Sequence, residues 1–416
     1  MTVPRLQPPL PRPAGAPLAL AGIRIADFSR LIAGPWATMM LADLGAEVIK
    51  IEQPGIGDES RYLTPTRDGM SSVFITMNRN KRSIVLDLKS DSGRAVAADL
   101  IASSDVLVEN FSIGVMERMG LGYEQLKDRH PRLIYAYATA FGRAGQYADR
   151  PGYDPVTQAD SGLFSLNGYP DRPPVRSMAP VVDVGSGMCL LNAIFAALLA
   201  RHATGLGQRV EVALFDVAVA LTGNYAMNYL LTGVSPQRQG NGSVISHPTG
   251  LFSASDGDFY LTCSSDRLFR KLATQVIGRP DLLERPEYAT NDARVRNVAT
   301  LTPLLGEIFR QRPCAYWVER LLAAGVPAGP VRSIAEAMDS PEARDRALLS
   351  TLPHPAAGSV PNIGAPFRLE GTPAVDPRAA PVLGADTRAV LATDLGYDAA
   401  RIDALARDGA FGDQPV

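Results

Sequence analysis

Cysteine is scarce in this chain. Its 416 residues include only Cys189, Cys263 and Cys314, with no Cys-x-x-Cys pair, so neither a disulfide framework nor a zinc site is indicated. A reducing, cytoplasmic compartment is the default expectation. Histidine is almost as sparse: His130, His202, His247 and His354 stand far apart in unlike contexts, and no Ser/His/Asp relay emerges from them. Charge of one sign is also missing. A formal net charge of -2 gives no global attraction to nucleic acid or to anionic lipid, so any anion site must be local. The longest apolar stretch, roughly Met188 to Leu199, is interrupted by Asn192 and falls short of the about 20 residues that span a bilayer. No membrane segment is expected. The proline-rich opening MTVPRLQPPLPRPAGAP lacks the continuous apolar core of a signal peptide and reads as a disordered arm or an extended strap.

What is present suits an ordinary globular protein: 46% hydrophobic and 20% charged residues, enough chain for two or three domains with a substantial core. The segment IRIADFSRLIAGPWATMMLADLGAEVIKIEQP predicts strand, helix, strand, at Ile23 to Phe28, Pro35 to Leu44 and Ala46 to Glu52. Pro35 opens the helix and Gly45 stops it, which makes a βαβ unit and a parallel sheet. Strands recur at Ser83 to Leu88, Asp105 to Glu109, Leu133 to Thr139 and Val210 to Leu214, with helices such as Gly93 to Ser103 between them. That alternation predicts a doubly wound α/β domain. A compact α+β stretch follows, with a hairpin around Asp256-Gly257, and GVPAGPV, Gly325 to Val331, reads as a stiff connector. The expected organisation is a large domain from residues 1–226, a small one from 227–330, and a C-terminal part, 331–416, that ends in a helix near Ala399 to Arg407.

The turn after the first strand reads SRLIAGP, with Gly34 alone where a dinucleotide site carries G-x-G-x-x-G. Nicotinamide or flavin chemistry therefore has little support, although Glu52 ends the second strand where a ribose-binding acid would sit. Arg79, Lys81 and Arg82 crowd the loop before the next strand, where such a cluster either neutralises phosphates or is simply solvated. Arg118 adds one more cation just past a strand end. In GYDPVTQADSG, Asp154-Pro155 marks a turn into a helix, so Asp154 reads as a cap, and Gln158 either points an amide at a developing oxyanion or lies on a helix surface. His247, beside the glycine-rich QRQGNGSVISHPTG, is a peripheral candidate. The stretch PVVDVGSGMCLLNAIFAALLARH brings Asp183 to a helix start, where unpaired N–H groups and the positive dipole end favour an ionised carboxylate. Gly185 and Gly187 leave room there for a ligand to approach the backbone. Taken alone, Asp183 reads as a helix cap before it reads as a nucleophile.

The rest of the chain reverses that order. DFSRLIAGPWATMMLADLGAEVIKIEQP, NRNKRSIVLDLK, VLVENFSIGVMERMGLGYE, GYDPVTQADSGL, DVGSGMCLLNAIFAALLARHATGLGQRVEVALFD, GVPAGPV and GAPFRL occur in one order from about Leu18 to Leu405. In them the chain resembles the family III CoA-transferases, whose members include formyl-CoA transferase and carnitine CoA-transferase. The resemblance implies an interlocked homodimer, each chain with a Rossmann-like large domain built from both its ends and a smaller α+β middle domain. It places the nucleophile at Asp183 and the CoA contacts at Arg30, Ile32, Gln53, Leu86, Lys89, Asn110, Phe111 and Arg118. Gln53 stands where formyl-CoA transferase carries an arginine.

The implied chemistry moves CoA from an acyl-CoA donor, of succinyl-CoA type, to a carboxylic acid, with a short dicarboxylate as the candidate acceptor. It runs through aspartyl anhydride and aspartyl-CoA thioester intermediates, needs no metal or general base, and holds no permanent cofactor; CoA and acyl-CoA enter as substrates. Neither nucleic acid nor membrane is an expected partner. A closable segment, Gly240 to Gly250, would keep water from the anhydrides, so Gly242 and His247 join Tyr153 and Gln158 as substrate-site candidates. Near the C-terminus many relatives read LGxHT where this chain has LGADT, with Asp386 in place of histidine. The related α-methylacyl-CoA racemases use the histidine of a GHD motif as a second acid/base. Here the motif reads GYD, and because a phenol is a poor base at neutral pH, racemisation or epimerisation ranks below transfer.

Overall fold

The computed structural model describes residues 6–414. Its centre is a six-stranded sheet. Arg24–Asp27 (β1) leads through Ala33–Asp43 (α1) to Glu47–Glu52 (β2), followed by Arg82–Val85 (β3), Asp91–Ala102 (α2), Val106–Glu109 (β4) and Ile134–Thr139 (β5). Asp154–Asp160 (α3), Val181–Thr204 (α4) and Arg209–Ala213 (β6) complete it. Every pairing is parallel and the strand order is 3-2-1-4-5-6. The order reverses between β1 and β4, and in open parallel sheets ligands bind in the crevice outside the carboxyl ends of the strands at such a reversal.

Alternation along each strand divides the core between the two faces. Ala26, Ile49, Ile51, Ile84, Leu107 and Tyr135 turn toward Val96, Leu100 and Ile101 of α2. That side also holds Val390, Leu391, Ile402 and Phe411, so the last residues of the chain complete a core begun by the first. Ile25, Val48, Val106, Ile134, Ala136 and Val212 turn the other way, toward Ala37 and Leu41 of α1 and Leu190, Ile194 and Ala197 of α4. Helix α4 is longer than the sequence suggested: it runs 24 residues, and by length and composition it could cross a membrane. Neither Asn192 nor Arg201 ends it. In this fold it packs on the sheet and on α1, and the buried Arg201 guanidinium pairs with Asp105 at 2.9 Å.

The basic loop before β3 is neither a phosphate clamp nor a solvated surface, which corrects both readings of it. Lys81 is buried, pairs with Asp27 at 3.0 Å and donates to the carbonyl of Pro35. Arg79 donates to both oxygens of Asp43, and Arg82 pairs with Glu47 and Asp394. Glu52 is likewise occupied, by the Arg61 guanidinium and the Ser83 hydroxyl, which removes it as a ribose ligand. Beneath the turn after β1, Lys50 pairs with Asp58 at 2.8 Å and donates to the Ser29 carbonyl. Burial works against the charge of Asp58, but Lys50 outweighs it and holds the Asp58 pKa down at about 2. Asp58 in turn accepts the N–H of Leu31, whose φ of 64° is left-handed, so this pair fixes the strained turn.

The opening arm resolves the choice left by its composition. From Leu6 onward it is a strap: the Gln7 carbonyl accepts from Thr351, and Arg12 donates to Asp376. At the other end, Asp386 accepts the Ser83 N–H and Thr387 that of Val85, so LGADT ties off the β3 edge of the sheet.

A second compact unit comprises residues 164–175 and 227–339, and the remainder of the described chain forms the first. Its three-stranded antiparallel sheet pairs Thr249–Ser253, Asp258–Thr262 and Ala328–Pro330. The segment read as a stiff connector therefore supplies an edge strand. Edge-to-face rings of Phe252, Phe259, Phe309 and Trp317, with centroids 5.1–5.2 Å apart at Phe309, fill its core.

Lys50→Met leaves the Asp58 carboxylate buried without its cation and is expected to destabilise the protein by about 3–5 kcal/mol. A lowered denaturant midpoint at unchanged slope is the predicted result; an unchanged midpoint would show that the pair adds nothing.

Candidate active site

At the carboxyl ends of β1 to β4 lies a cleft of about 360 Å³, where the strand order reverses. Arg30 follows β1, Gln53 follows β2, Leu86 and Lys89 follow β3, and Phe111 follows β4; all five line it. The Arg30 guanidinium stacks 4.6 Å from the Phe111 ring centre and pairs with Glu59 at 3.2 Å. Asn110 is not in the lining. Its side chain instead accepts the Arg30 N–H and donates to the Arg30 carbonyl, both at 2.8 Å, which fixes the backbone that carries the guanidinium. Ile32 occupies the N-cap position of α1, where its apolar side chain satisfies none of the first-turn N–H groups. Arg118 is exposed on the short helix Val115–Arg118, outside the lining. The cleft also takes in Asp87 and Met119, which lie within the quoted motifs without a signal of their own, and the C-terminal Gly412, Asp413 and Gln414, which carry no sequence signal.

The second feature of the unit is the start of α4. Helix N-termini leave backbone N–H groups unpaired, and here Pro180 at the N-cap has no side chain to offer them. Asp154, the first residue of α3, supplies the cap across space: one carboxylate oxygen accepts the N–H of Val182 at 2.8 Å and that of Asp183 at 3.1 Å. Its other oxygen accepts from the Gln158 amide, whose nitrogen also reaches the Ser177 carbonyl and whose oxygen accepts the Ser177 N–H. Both ends of Gln158 are thus engaged in holding Asp154, with no amide donor left over for an oxyanion.

Asp183, at the third helical position, is relieved of the capping role. Its own carboxylate makes no hydrogen bond or ion pair with any described residue. Burial, and then the negative charge of Asp154, push its pKa up from 3.8 to about 7. Half-buried, unpartnered and close to its ionisation point at neutral pH, it is the candidate nucleophile of the site; a paired structural carboxylate would be pushed the other way. Gly185 and Gly187 do not hold open space for a ligand. A Cβ on Gly187 would stand 2.8 Å from the Ala33 carbonyl, and one on Gly185 would stand 3.2 Å from Val217, so these glycines let neighbouring helices approach α4 closely.

Tyr153 is exposed just before α3. Gly242 and His247 belong to the smaller unit. Gly242 donates to the Gln239 carbonyl in a turn. The His247 ring is buried 3.3 Å from the Thr302 hydroxyl, and burial, then the charge of Arg294, push its pKa down to about 4.

The chain matches the family model described as CoA-transferase family III over residues 20–387. It belongs to that family. It is 38% identical to an acetyl-CoA:oxalate CoA-transferase of Acetobacter aceti, over 84% of this chain and 89% of that one. With a succinate–glutarate CoA-transferase of Agrobacterium fabrum it shares 37% identity over 90% and 95%. The crystal structure of a CAIB/BAIF family protein from Brucella suis superposes with a TM-score of 0.82 at 36% identity, covering 91% of this chain and 99% of that one. The chain is accordingly a CoA-transferase with a mixed α/β fold and a large parallel sheet, and its substrates are CoA thioesters.

Within this family member, the raised pKa of Asp183 has a consequence for stability. The folded state holds the proton more tightly than the unfolded chain, so stability falls as pH rises from 3.8 through about 7, at a cost of at most about 4 kcal/mol. Asp183→Asn is therefore expected to be more stable than the parent protein at pH 8 and equal to it at pH 3; denaturant titrations at the two pH values measure this, and equal stability at pH 8 would contradict it. Asp154→Asn removes the like charge, and the Asp183 carboxyl should then titrate below pH 7 by carbon-13 NMR.

Proposed function

We propose that this enzyme transfers CoA from an acyl-CoA donor, of succinyl-CoA type, to a short dicarboxylic acid, with Asp183 as the covalent nucleophile. The observation that carries the reading is the unpartnered, half-buried Asp183 carboxylate at a helix start capped by another residue. The names of the relatives, with oxalate, succinate and glutarate among their acids, support the acceptor class.

An oxygen of the ionised Asp183 attacks the thioester carbonyl carbon; the carbon–sulfur bond breaks, leaving a mixed anhydride and CoA thiolate. The thiolate attacks the aspartyl carbonyl, which releases the donor acid and forms an aspartyl-CoA thioester. The acceptor carboxylate then opens that thioester to a second anhydride, and the returning thiolate takes the acceptor acyl group, regenerating Asp183. Electrons and protons balance without an external acid or base, and two easier exchanges replace one hard one. Because Asp183 ionises near pH 7, attack slows as pH falls below that value.

In this reading the nucleotide end of CoA lies in the cleft at the β1 to β4 ends. Arg30 and Lys89 meet phosphate oxygens, Phe111 and Leu86 offer apolar contact, Gln53 offers an amide, and Asn110 positions Arg30. Arg118, exposed and without a carboxylate partner among the described residues, is kept as a further phosphate contact, and Ile32 as the residue that leads into α1. Tyr153, exposed just before α3, is kept as a substrate-site residue. The Rossmann-like reading of the large unit rests on its 3-2-1-4-5-6 strand order. Exposed apolar side chains on the large unit, Leu199 at 73% and Leu221 at 46%, support an interlocked homodimer, and three free cysteines support a cytoplasmic location.

Incubation with succinyl-CoA followed by digestion and mass spectrometry should find an acyl or CoA adduct on the peptide that carries Asp183. Asp183→Ala should lower transfer by ~10³-fold or more. Retained transfer in that variant would refute the mechanism, and exchange of the substrate α-proton with deuterated water would point to racemisation instead.

A further inference from the structure

One wall of the cleft comes from the end of the chain. Phe411 and Ala410 are fully buried in the core beside α2, and the Ala410 carbonyl accepts the Asp87 N–H at 2.7 Å. The Ser92 hydroxyl donates to the Asp408 carbonyl at 3.0 Å. Gly412 has a φ of +56° and lies so close to Pro54 that a Cβ there would stand 2.7 Å from the Pro54 ring. These contacts pin the segment between the β2 and β3 loops and bring Gly412, Asp413 and Gln414 into the lining with Arg30, Gln53 and Lys89. Asp413 is exposed there, and its carboxylate has no partner among the described residues.

A carboxylate only accepts hydrogen bonds, and it repels phosphate. In a cleft that already offers Arg30 and Lys89 to phosphates, it suits a neutral donor. We propose that the C-terminal segment Gly412–Gln414 reads the nucleoside end of CoA, with Asp413 accepting from the adenine amine or a ribose hydroxyl. This makes Asp413 a specificity-determining residue for the nucleotide and not for the acyl group. The inference rests on the cleft being the nucleotide site.

The test compares three proteins: the full chain, a chain ending at Phe411, which keeps the buried anchor, and Asp413→Ala. Kinetics are measured with succinyl-CoA and with succinyl-pantetheine, which lacks the nucleotide. Loss of a hydrogen bond to a charged group should raise KM for succinyl-CoA about tenfold or more in Asp413→Ala and at least as much in the shortened chain, with kcat within about twofold and the succinyl-pantetheine kinetics unchanged in both. Unchanged KM for succinyl-CoA in Asp413→Ala overturns the role of that residue. Equal losses with both thioesters would mean that the segment serves the fold, and overturn the proposal too. Lys89→Ala separates the two failures: if it weakens succinyl-CoA while the C-terminal variants do not, only this inference falls, and if it too has no effect, the assignment of the cleft falls with it.

Discussion

The structure depends on one carboxylate that does another's work. A helix start attracts negative charge and has N–H groups to satisfy, and the acid within α4 best placed to do so is Asp183. Asp154 reaches over from α3 and takes those N–H groups, with Gln158 and Ser177 holding it in place. Asp183 is left near the positive end of a helix with its own oxygens unused. Of the two carboxylates at this helix end only Asp154 is satisfied by hydrogen bonds; burial and then the charge of Asp154 raise the pKa of Asp183, the reactive group of the proposed mechanism.

The cleft at the β1 to β4 ends rests on a comparable economy of charge. Four cations of the first ninety residues, Lys50, Arg61, Arg79 and Lys81, are enclosed by Asp58, Glu52, Asp43 and Asp27 under the loops that follow β1 and β2. Neutralised internally, they are not offered to phosphate, and one of them, Lys50, fixes the turn after β1 through the Ser29 carbonyl and through Asp58, which holds the Leu31 N–H, and so sets the place of Arg30. Arg30 and Lys89 are the lining cations that stay within reach of a ligand. Such buried pairs contribute less to net stability than to holding one arrangement, since removing either partner leaves a charge stranded in a poor solvent for it.

Much of this was legible in the sequence, and the remainder was hidden for identifiable reasons. Periodicity and the Pro35 and Gly45 signals located β1, α1 and β2 to within a few residues, and the final helix, Ala399–Arg407, was anticipated as it stands. Asp183 was legible as a candidate through its setting and through family resemblance. What the sequence concealed were partnerships between distant residues. A basic run such as Arg79, Lys81 and Arg82 looks the same whether its acids lie in solvent, in a ligand, or 35 to 312 positions away in the chain. Asp154 was recognised as a cap but assigned to its own helix, because capping patterns are local and this one bridges 28 residues. The C-terminal wall of the cleft had no motif at all, and the length of α4 was underestimated because a polar residue facing the solvent side does not end a helix.

The most direct test of the account follows oxygen. If an acceptor dicarboxylate labelled with oxygen-18 in its carboxylates is turned over, the bridging oxygen of the second anhydride must stay on Asp183 when the thiolate removes the acyl group. Mass spectrometry of the peptide spanning Val182 to Val184 should then show heavy oxygen accumulating in that side chain with each cycle. An Asp183 that stays unlabelled after many turnovers, while labelled acid is converted to its CoA thioester, would contradict the account.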